Sequence, residues 1–266
     1  MGSLDLSTSF VGKKATRALE RLVWAAGFHV TRKVNTLRSK RMEVIGRCGV
    51  KLVLDVGANT GQWAAEIRRD GFTGRVLSFE PHSEAYVELE RAAKRWGSQH
   101  MCFNVALGAE NRAAPFFATK GSVNSSCLKP LSQTVKLNES AALVDRREIE
   151  VRRLDAVIGE LGLADEPLYL KIDTQGYERE VLRGAAETLL KTVAVEIELS
   201  LAQMYEGQTL LPEVWSMLVS SGFRAAWIER GFRDPSDIWL MQVDGLFVRE
   251  EIWRAAEAQH HGIDAP

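Results

Sequence analysis

The 266-residue chain holds only three cysteines, Cys48, Cys102 and Cys127, far apart and without CxxC or zinc-knuckle spacing. That scarcity argues against a disulfide framework and for a reducing, cytoplasmic setting. No run of 18 apolar residues occurs, so a transmembrane span is not expected. The opening residues lack the uninterrupted apolar stretch of a secretory signal. An excess of one charge is missing too: 34 Lys and Arg stand against 35 Asp and Glu, for a net charge of -1. A general nucleic-acid binder needs a basic excess, which disfavours that class. There is no internal repeat and no stretch that reads as an interdomain linker. At roughly 100–200 residues per domain, the length fits one large domain or two small ones, and the missing linker favours one.

The charge that is present is unevenly placed. Up to Lys51 there are eleven Lys or Arg and three acids (Asp5, Glu20, Glu43), a balance of +8, which leaves -9 for the remainder. Val11, Ala15, Ala18, Leu22 and Ala26 recur at helical spacing and predict a helix over Phe10–Ala26, with Lys13, Arg17 and Arg21 on another face. A second helix is expected over Val34–Arg47. Residues 1–48 are therefore read as an N-terminal helical accessory or lid, and residues 49–266 as the main domain. Three roles for the basic helices stand open: cover for one sheet edge, a homodimer contact, or peripheral contact with an anionic inner-membrane surface.

Beyond Lys51 the pattern alternates. Apolar, β-rich segments at Lys51–Val56, Arg75–Phe79, His100–Val105, Leu168–Ile172 and Val193–Leu199 read as strands. Between and after them, Gln62–Asp70, Ser83–Trp96, Leu154–Leu161, Glu178–Leu190 and Pro212–Ser221 read as helices. An antiparallel pair, Phe223–Glu229 with Val243–Arg249, is expected to close the sheet, and Glu250–Ala256 to form a helical tail. This alternation predicts an α/β fold with a doubly wound sheet. Asn111–Arg147, rich in Ser, Thr, Asn and Lys, reads as a long surface excursion and a substrate-loop candidate.

The chemistry concentrates at VLDVGANTGQW (53–63), where a strand feeds Gly57 and Gly61 and then a helix. Glycine permits a tight turn and close approach of a ligand to the main chain. The spacing is GxxxG, not the GxGxxG of dinucleotide binders, so NAD-dependent oxidoreduction is disfavoured. Asp55 precedes the turn and Asn59 occupies its middle. Glu80, 25 residues after Asp55, ends the second strand, where a carboxylate can accept both ribose hydroxyls. Pro81 then fixes the following turn, and His82 lies at the rim of that site.

These residues carry a resemblance. The chain resembles the FkbM family of class I S-adenosylmethionine-dependent methyltransferases from about Leu37 to Arg249. The matching stretches include VLDVGANTGQW (53–63), GRVLSFEP (74–81), NVALG (104–108), SVNSSC (122–127), LKIDTQGYEREVLRGA (170–185), IELSLAQMYEGQ (197–208) and QVDGLFVR (242–249). The resemblance implies a class I methyltransferase (Rossmann-like) sheet and S-adenosyl-L-methionine as cofactor. Asp55, Gly57, Asn59, Gly61 and Glu80 would hold that cofactor, with Asn104 and Ala106 near its adenine. Residues 49–266 would be the methyltransferase domain.

Methyl transfer to an alcohol requires alignment of oxygen, methyl carbon and sulfur, and loss of the alcohol proton. Carboxylates at strand ends reach the crevice of a doubly wound fold. Asp173 ends one strand, while Glu196 and Glu198 share a face of the next, where unpartnered acids would be costly. Asp173 and Glu198 are the expected catalytic pair, or the oxygen ligands of a Mg²⁺ ion; pairing of Glu196 or Glu198 with Lys171 or Arg183 is the competing reading. Tyr177, Tyr205 and Gln208 are candidates for the acceptor pocket. Asn124, Ser125 and Ser126 either bind sugar hydroxyls or hold their own loop. The resemblance implies an O-methyltransferase acting on a hydroxyl of a sugar, glycolipid or polyketide-like natural product. The alternatives are an N- or other small-molecule methyltransferase and a non-catalytic binder of adenosyl ligands.

Overall fold

The apolar run after Lys51 forms strand β1 (Leu52–Val56), buried along its whole length in a computed structural model that describes residues 36–163, 166–234, 236 and 238–261. The following strands are β2 (Arg75–Phe79), β3 (His100–Phe103), β4 (Ala106–Leu107), β5 (Arg112–Thr119), β6 (Leu143–Arg152), β7 (Leu168–Ile172), β8 (Thr192–Ser200), β9 (Phe223–Arg230) and β10 (Gln242–Arg249). Seven of them make one sheet in the order β3-β2-β1-β7-β8-β10-β9. The pairs from β3 across to β8 are parallel, and β10 runs antiparallel to both β8 and β9. The expected doubly wound sheet with a closing antiparallel pair is therefore present. The chain winds outward from β1 to β3 and then returns to β7 on the other side. A crevice opens where the winding reverses, beyond the C-terminal ends of β1 and β7.

Alternation along the strands sorts side chains into two layers. Leu52, Leu54 and Val56 pack with Leu170, Ile172 and Ile197 on one face, and Val53 packs with Tyr169, Ala194 and Leu246 on the other. Each fully buried aliphatic side chain contributes roughly 1.5–3 kcal/mol. On the second face the apolar layer gives way to polar residues toward the crevice. Asp55 lies beside Ser78 and Lys171, Lys171 beside Glu196, and Asp244 beside Glu198.

Helix α1 (Leu37–Arg47) begins at Thr36, whose side chain caps the Ser39 amide while Ser39 returns a bond to Thr36. Its Leu37, Val44 and Ile45 belong to the second layer, so this helix shares the core of the sheet. The helix expected over Phe10–Ala26, and with it most of the +8 segment, lies outside the described residues. Helices α2 (Gln62–Arg69) and α3 (Ser83–Ala93) follow β1 and β2. The helix expected to reach Trp96 passes into a 3-10 turn at Lys94, broken by the positive φ of Gly97. No helix among the described residues is long and apolar enough to cross a membrane.

The Asn111–Arg147 excursion is more ordered than its composition implies. β5 and β6 pair antiparallel, β4 joins β6, and the three form a second sheet. Ala114, Phe116 and Ala118 alternate inward from β5, a small signal easily lost among polar neighbours. Helices α4 (Ser132–Leu137), α5 (Leu154–Glu160), α6 (Glu178–Arg183), α7 (Ala186–Leu189), α8 (Leu211–Ser220) and α9 (Glu250–His261) complete the chain. The single helix expected over Glu178–Leu190 is split into α6 and α7 around Gly184. A Cβ there would stand 1.9 Å from the Gly108 carbonyl oxygen, so backbone packing requires glycine at the junction.

Candidate active site

The crevice holds a cavity of about 370 Å³. Its floor is the turn after β1. Gly57 has φ +78°, and a Cβ on it would lie 1.8 Å from the carbonyl oxygen of Asp173. Only glycine lets the ends of β1 and β7 approach so closely. Gly61, with φ +85°, forms the N-cap of α2. Among the described residues two other than glycine also have positive φ, Asn59 (47°) and Gln175 (56°), and both line this cavity. Such conformations cost free energy and are retained where the surroundings impose them.

At one end stands Glu80, with Pro81, Ala106 and Phe116 close by. The Glu80 carboxylate accepts the amide N–H of Asn59 and that of His82, each at 2.7 Å. Burial pushes this carboxyl up to about 7 despite those two bonds. Asn59 also donates its side-chain amide to Ser122 Oγ at 3.0 Å, tying the excursion to the turn. Asn104 donates to the carbonyls of Glu80 and Pro81, so its side chain secures the bend and is not part of the cavity lining. Asp55 is fully buried beneath the turn, with Oδ2 accepting from the Ser78 hydroxyl and Oδ1 unpartnered among the described residues. Burial pushes it up to about 6. His82 caps α3 and packs edge-on against Phe116.

The opposite end is built from charges. Lys171 Nζ donates to Asp173 Oδ2 at 2.9 Å, and Gln175 Nε2 donates to Asp173 Oδ1 at 2.8 Å. Burial opposes ionisation of Asp173, yet the Lys171 ammonium outweighs it and holds the carboxyl below its ordinary range. The same Gln175 amide reaches Glu198 Oε2 at 2.9 Å, and Gln242 Nε2 reaches that oxygen at 2.5 Å. Glu198 therefore sits behind Gln175 and outside the cavity wall, while Asp173 faces the cavity. Burial, joined by the charges of Asp173, Glu178 and Asp244, pushes Glu198 well above the usual carboxylate range. Among the described residues no three His, Cys, Asp or Glu converge as a metal site. An ammonium on Asp173 and two amides on Glu198 are also poor surroundings for a hard divalent cation. The expected Mg²⁺ pair does not fit one.

Glu196 follows neither of the pairings expected for it. Arg41 of α1 grips it with two bonds of 2.7 Å, while the Trp63 indole (2.8 Å) and the Tyr169 hydroxyl (2.6 Å) also donate to it. Burial alone would raise Glu196, but Arg41 and these donors hold it below its ordinary value. Arg41 and Glu196 both touch the cavity. A lone Arg in a basic helix gave no signal of this contact, since its partner lies 155 residues away.

Several loop candidates prove to be scaffolding. Gln208 accepts the amides of Met204 and Tyr205 and donates to Ser200. The Tyr205 hydroxyl lies 2.9 Å from the Asn124 carbonyl and 3.0 Å from Gln175 Oε1. Ser125 and Ser126 line the cavity, but their hydroxyls bond Thr119, Leu128 and Thr174. Glu178, buried within α6, accepts from Thr174 and Gly176 and so fixes the loop that carries Gln175. Tyr177 remains at the cavity wall.

The model of the methyltransferase FkbM domain matches residues 55–225. The 2-O-methyltransferase NoeI of Sinorhizobium fredii is 27% identical over 177 residues, covering 64% of this chain and 71% of that protein. The AMB antimetabolite synthetase AmbE of Pseudomonas aeruginosa is 30% identical over 199 residues, covering 63% of this chain but 9% of that far longer protein. Among solved structures, M. capricolum TrmK in complex with S-adenosyl-homocysteine aligns with a TM-score of 0.40 at 9% identity, over 78% of this chain and 68% of that one.

Proposed function

The chain belongs to the FkbM methyltransferase family, and we propose that it is an O-methyltransferase acting on a hydroxyl of a sugar, glycolipid or polyketide-like natural product. It is an S-adenosylmethionine-dependent methyltransferase. The observation that carries the finer reading is the division of one cavity into two ends. Glu80 follows β2 and the Lys171–Asp173–Gln175 group ends or follows β7, on opposite sides of β1 and its Gly57 turn, and all of them line the cavity.

The cofactor supplies an electrophilic methyl group on a sulfonium. Glu80 is the residue for its ribose: both oxygens hold a backbone N–H and each keeps a lone pair for a hydroxyl. The Gly57–Gly61 turn lies against the methionine part and Ala106 against the adenine. Asn104 and Asp55 support those walls from behind. Asp173, kept ionised by Lys171, favours the cationic form of the ligand and accepts a hydrogen bond from the acceptor. Glu198 acts through Gln175 to position Asp173. The similarity to NoeI, a 2-O-methyltransferase, supports oxygen as the acceptor atom.

Calorimetry with S-adenosylmethionine and S-adenosylhomocysteine tests the first half. Micromolar binding that weakens in Glu80→Gln is expected, and no affinity for either ligand would overturn it. A panel of methyl glycosides, read by S-adenosylhomocysteine release and a 14 Da gain, tests the second. Methylation confined to amines would replace the O-methyl reading with an N-methyl one.

A further inference from the structure

We propose that Asp244 is the catalytic residue that takes the proton from the acceptor hydroxyl. This rests on the O-methyltransferase reading above and assigns the step that reading leaves without a residue. β10 brings Asp244 to the acceptor end, in register with Glu198 on β8 and Glu229 on β9. Asp244 lines the cavity and Glu198 does not.

The neighbouring carboxylates are already committed. Asp173 is held by Lys171 and Gln175, and Glu196 by Arg41, Trp63 and Tyr169. Glu198 carries two amides, and Glu229 accepts the Leu37 amide and the Trp227 indole. Among the described residues Asp244 makes no hydrogen bond or ion pair, so its oxygens are available to an acceptor. Its surroundings also suit a base. Burial first, then the charges of Asp173 and Glu196, push it up to about 6, and Lys171 restrains the rise. It is thus largely ionised at neutral pH and more basic than an exposed aspartate, the range in which a general base is effective.

In the step, the acceptor O–H proton passes to an Asp244 carboxylate oxygen. An electron pair of the acceptor oxygen forms the new bond to the methyl carbon. The carbon–sulfur bond breaks with its pair left on sulfur, giving S-adenosylhomocysteine and the methyl ether. Asp244 afterwards returns its proton to water.

Two measurements test this on the full chain. With a methyl glycoside that the wild type methylates, Asp244→Asn should lower kcat at least a hundredfold and leave S-adenosylhomocysteine affinity unchanged. The acidic limb of the wild-type rate profile, near pH 6, should disappear with it. Turnover within threefold of wild type, or an unchanged acidic limb, would overturn the proposal while leaving the O-methyltransferase reading intact. Independently of any acceptor, carbon-13 NMR of protein labelled at the aspartate carboxyl should show two resonances titrating near pH 6, those of Asp55 and Asp244, and only one of them in Asp244→Asn. A carboxyl titrating near pH 4 at this position would overturn the proposal even if no glycoside proved to be a substrate.

Discussion

Two acid-bearing regions share one face of the sheet, yet they are built on opposite principles. Around Glu196 the available valences are used: Arg41 binds it twice, Trp63 and Tyr169 once each, and Arg41 turns its remaining nitrogen to Glu66 at 2.6 Å. The Arg41 and Glu196 side chains are only 4% and 5% exposed. At the other region Asp173 is 36% exposed and Asp244 has no partner among the described residues. A closed knot of this kind fixes where α1 sits, and an open group of acids keeps capacity for a ligand. Burial raises the proton affinity of acids in both regions; Arg41 and its fellow donors reverse this at Glu196 and Lys171 reverses it at Asp173, whereas Asp244 stays raised.

The contrast can be broken most severely at Arg41. Arg41→Met strands the buried Glu196 carboxylate and should cost about 3–5 kcal/mol of unfolding free energy, measured by urea denaturation. Adding Glu196→Gln should recover much of that loss, because the stranded charge is then gone; no recovery would mean that Arg41 acts by packing alone. Next in size, Asp173→Asn should lower kcat about a hundredfold, equivalent to about 2.7 kcal/mol of barrier. Its denaturation midpoint should stay close to wild type, and a collapse in stability would place Asp173 with the knot.

Glu196 and the acids that burial raises should also answer pH with opposite sign. Glu196 titrates below its unfolded value, so its contribution is present above about pH 4.5 and lost as pH falls through the lowered value. Glu80 and Asp244 titrate near 7 and 6, so in the apoprotein they hold protons that the unfolded chain has released. Stability should therefore fall as pH rises from about 4.5 to 7, by up to about 1.4 kcal/mol per pH unit for each group. Glu80→Gln should flatten part of that slope in thermal melts across the range, and an unchanged slope would remove Glu80 as its source. The smallest effect is expected one turn from Arg41. Arg38 pairs with Asp70 and Glu66 at the solvent-exposed rim, and Arg38→Ala should leave both melting temperature and turnover within experimental error.

Much of the frame was legible in the chain. KLVLDV and LYLKI announced buried parallel strands because such strands need no polar face. Gly57 and Gly61 marked a turn because the backbone there must adopt positive φ. Glu80 and Asp173 were readable because strand ends in this architecture converge on one crevice. The site's interior was less legible. Glu196 looked like a partner for Lys171 or Arg183, and the true partner, Arg41, lies in a helix whose sequence reads as a solvated basic face. Gln208 and Tyr205 looked like acceptor contacts and instead brace a loop. Glu198 was the expected catalytic partner of Asp173, whereas it lies outside the cavity lining and Asp244 on the closing strand is part of it.

The sequence by itself determined the alternation of strands and helices, the glycine turn and the acids at the strand ends, because these follow from local backbone rules and period. Only the tertiary structure decided which acids are neutralised and which remain open to a ligand. That choice depends on side chains brought together across the sheet, such as Arg41 with Glu196 over 155 residues and Gln242 with Glu198 over 44, and local pattern carries no trace of such distances.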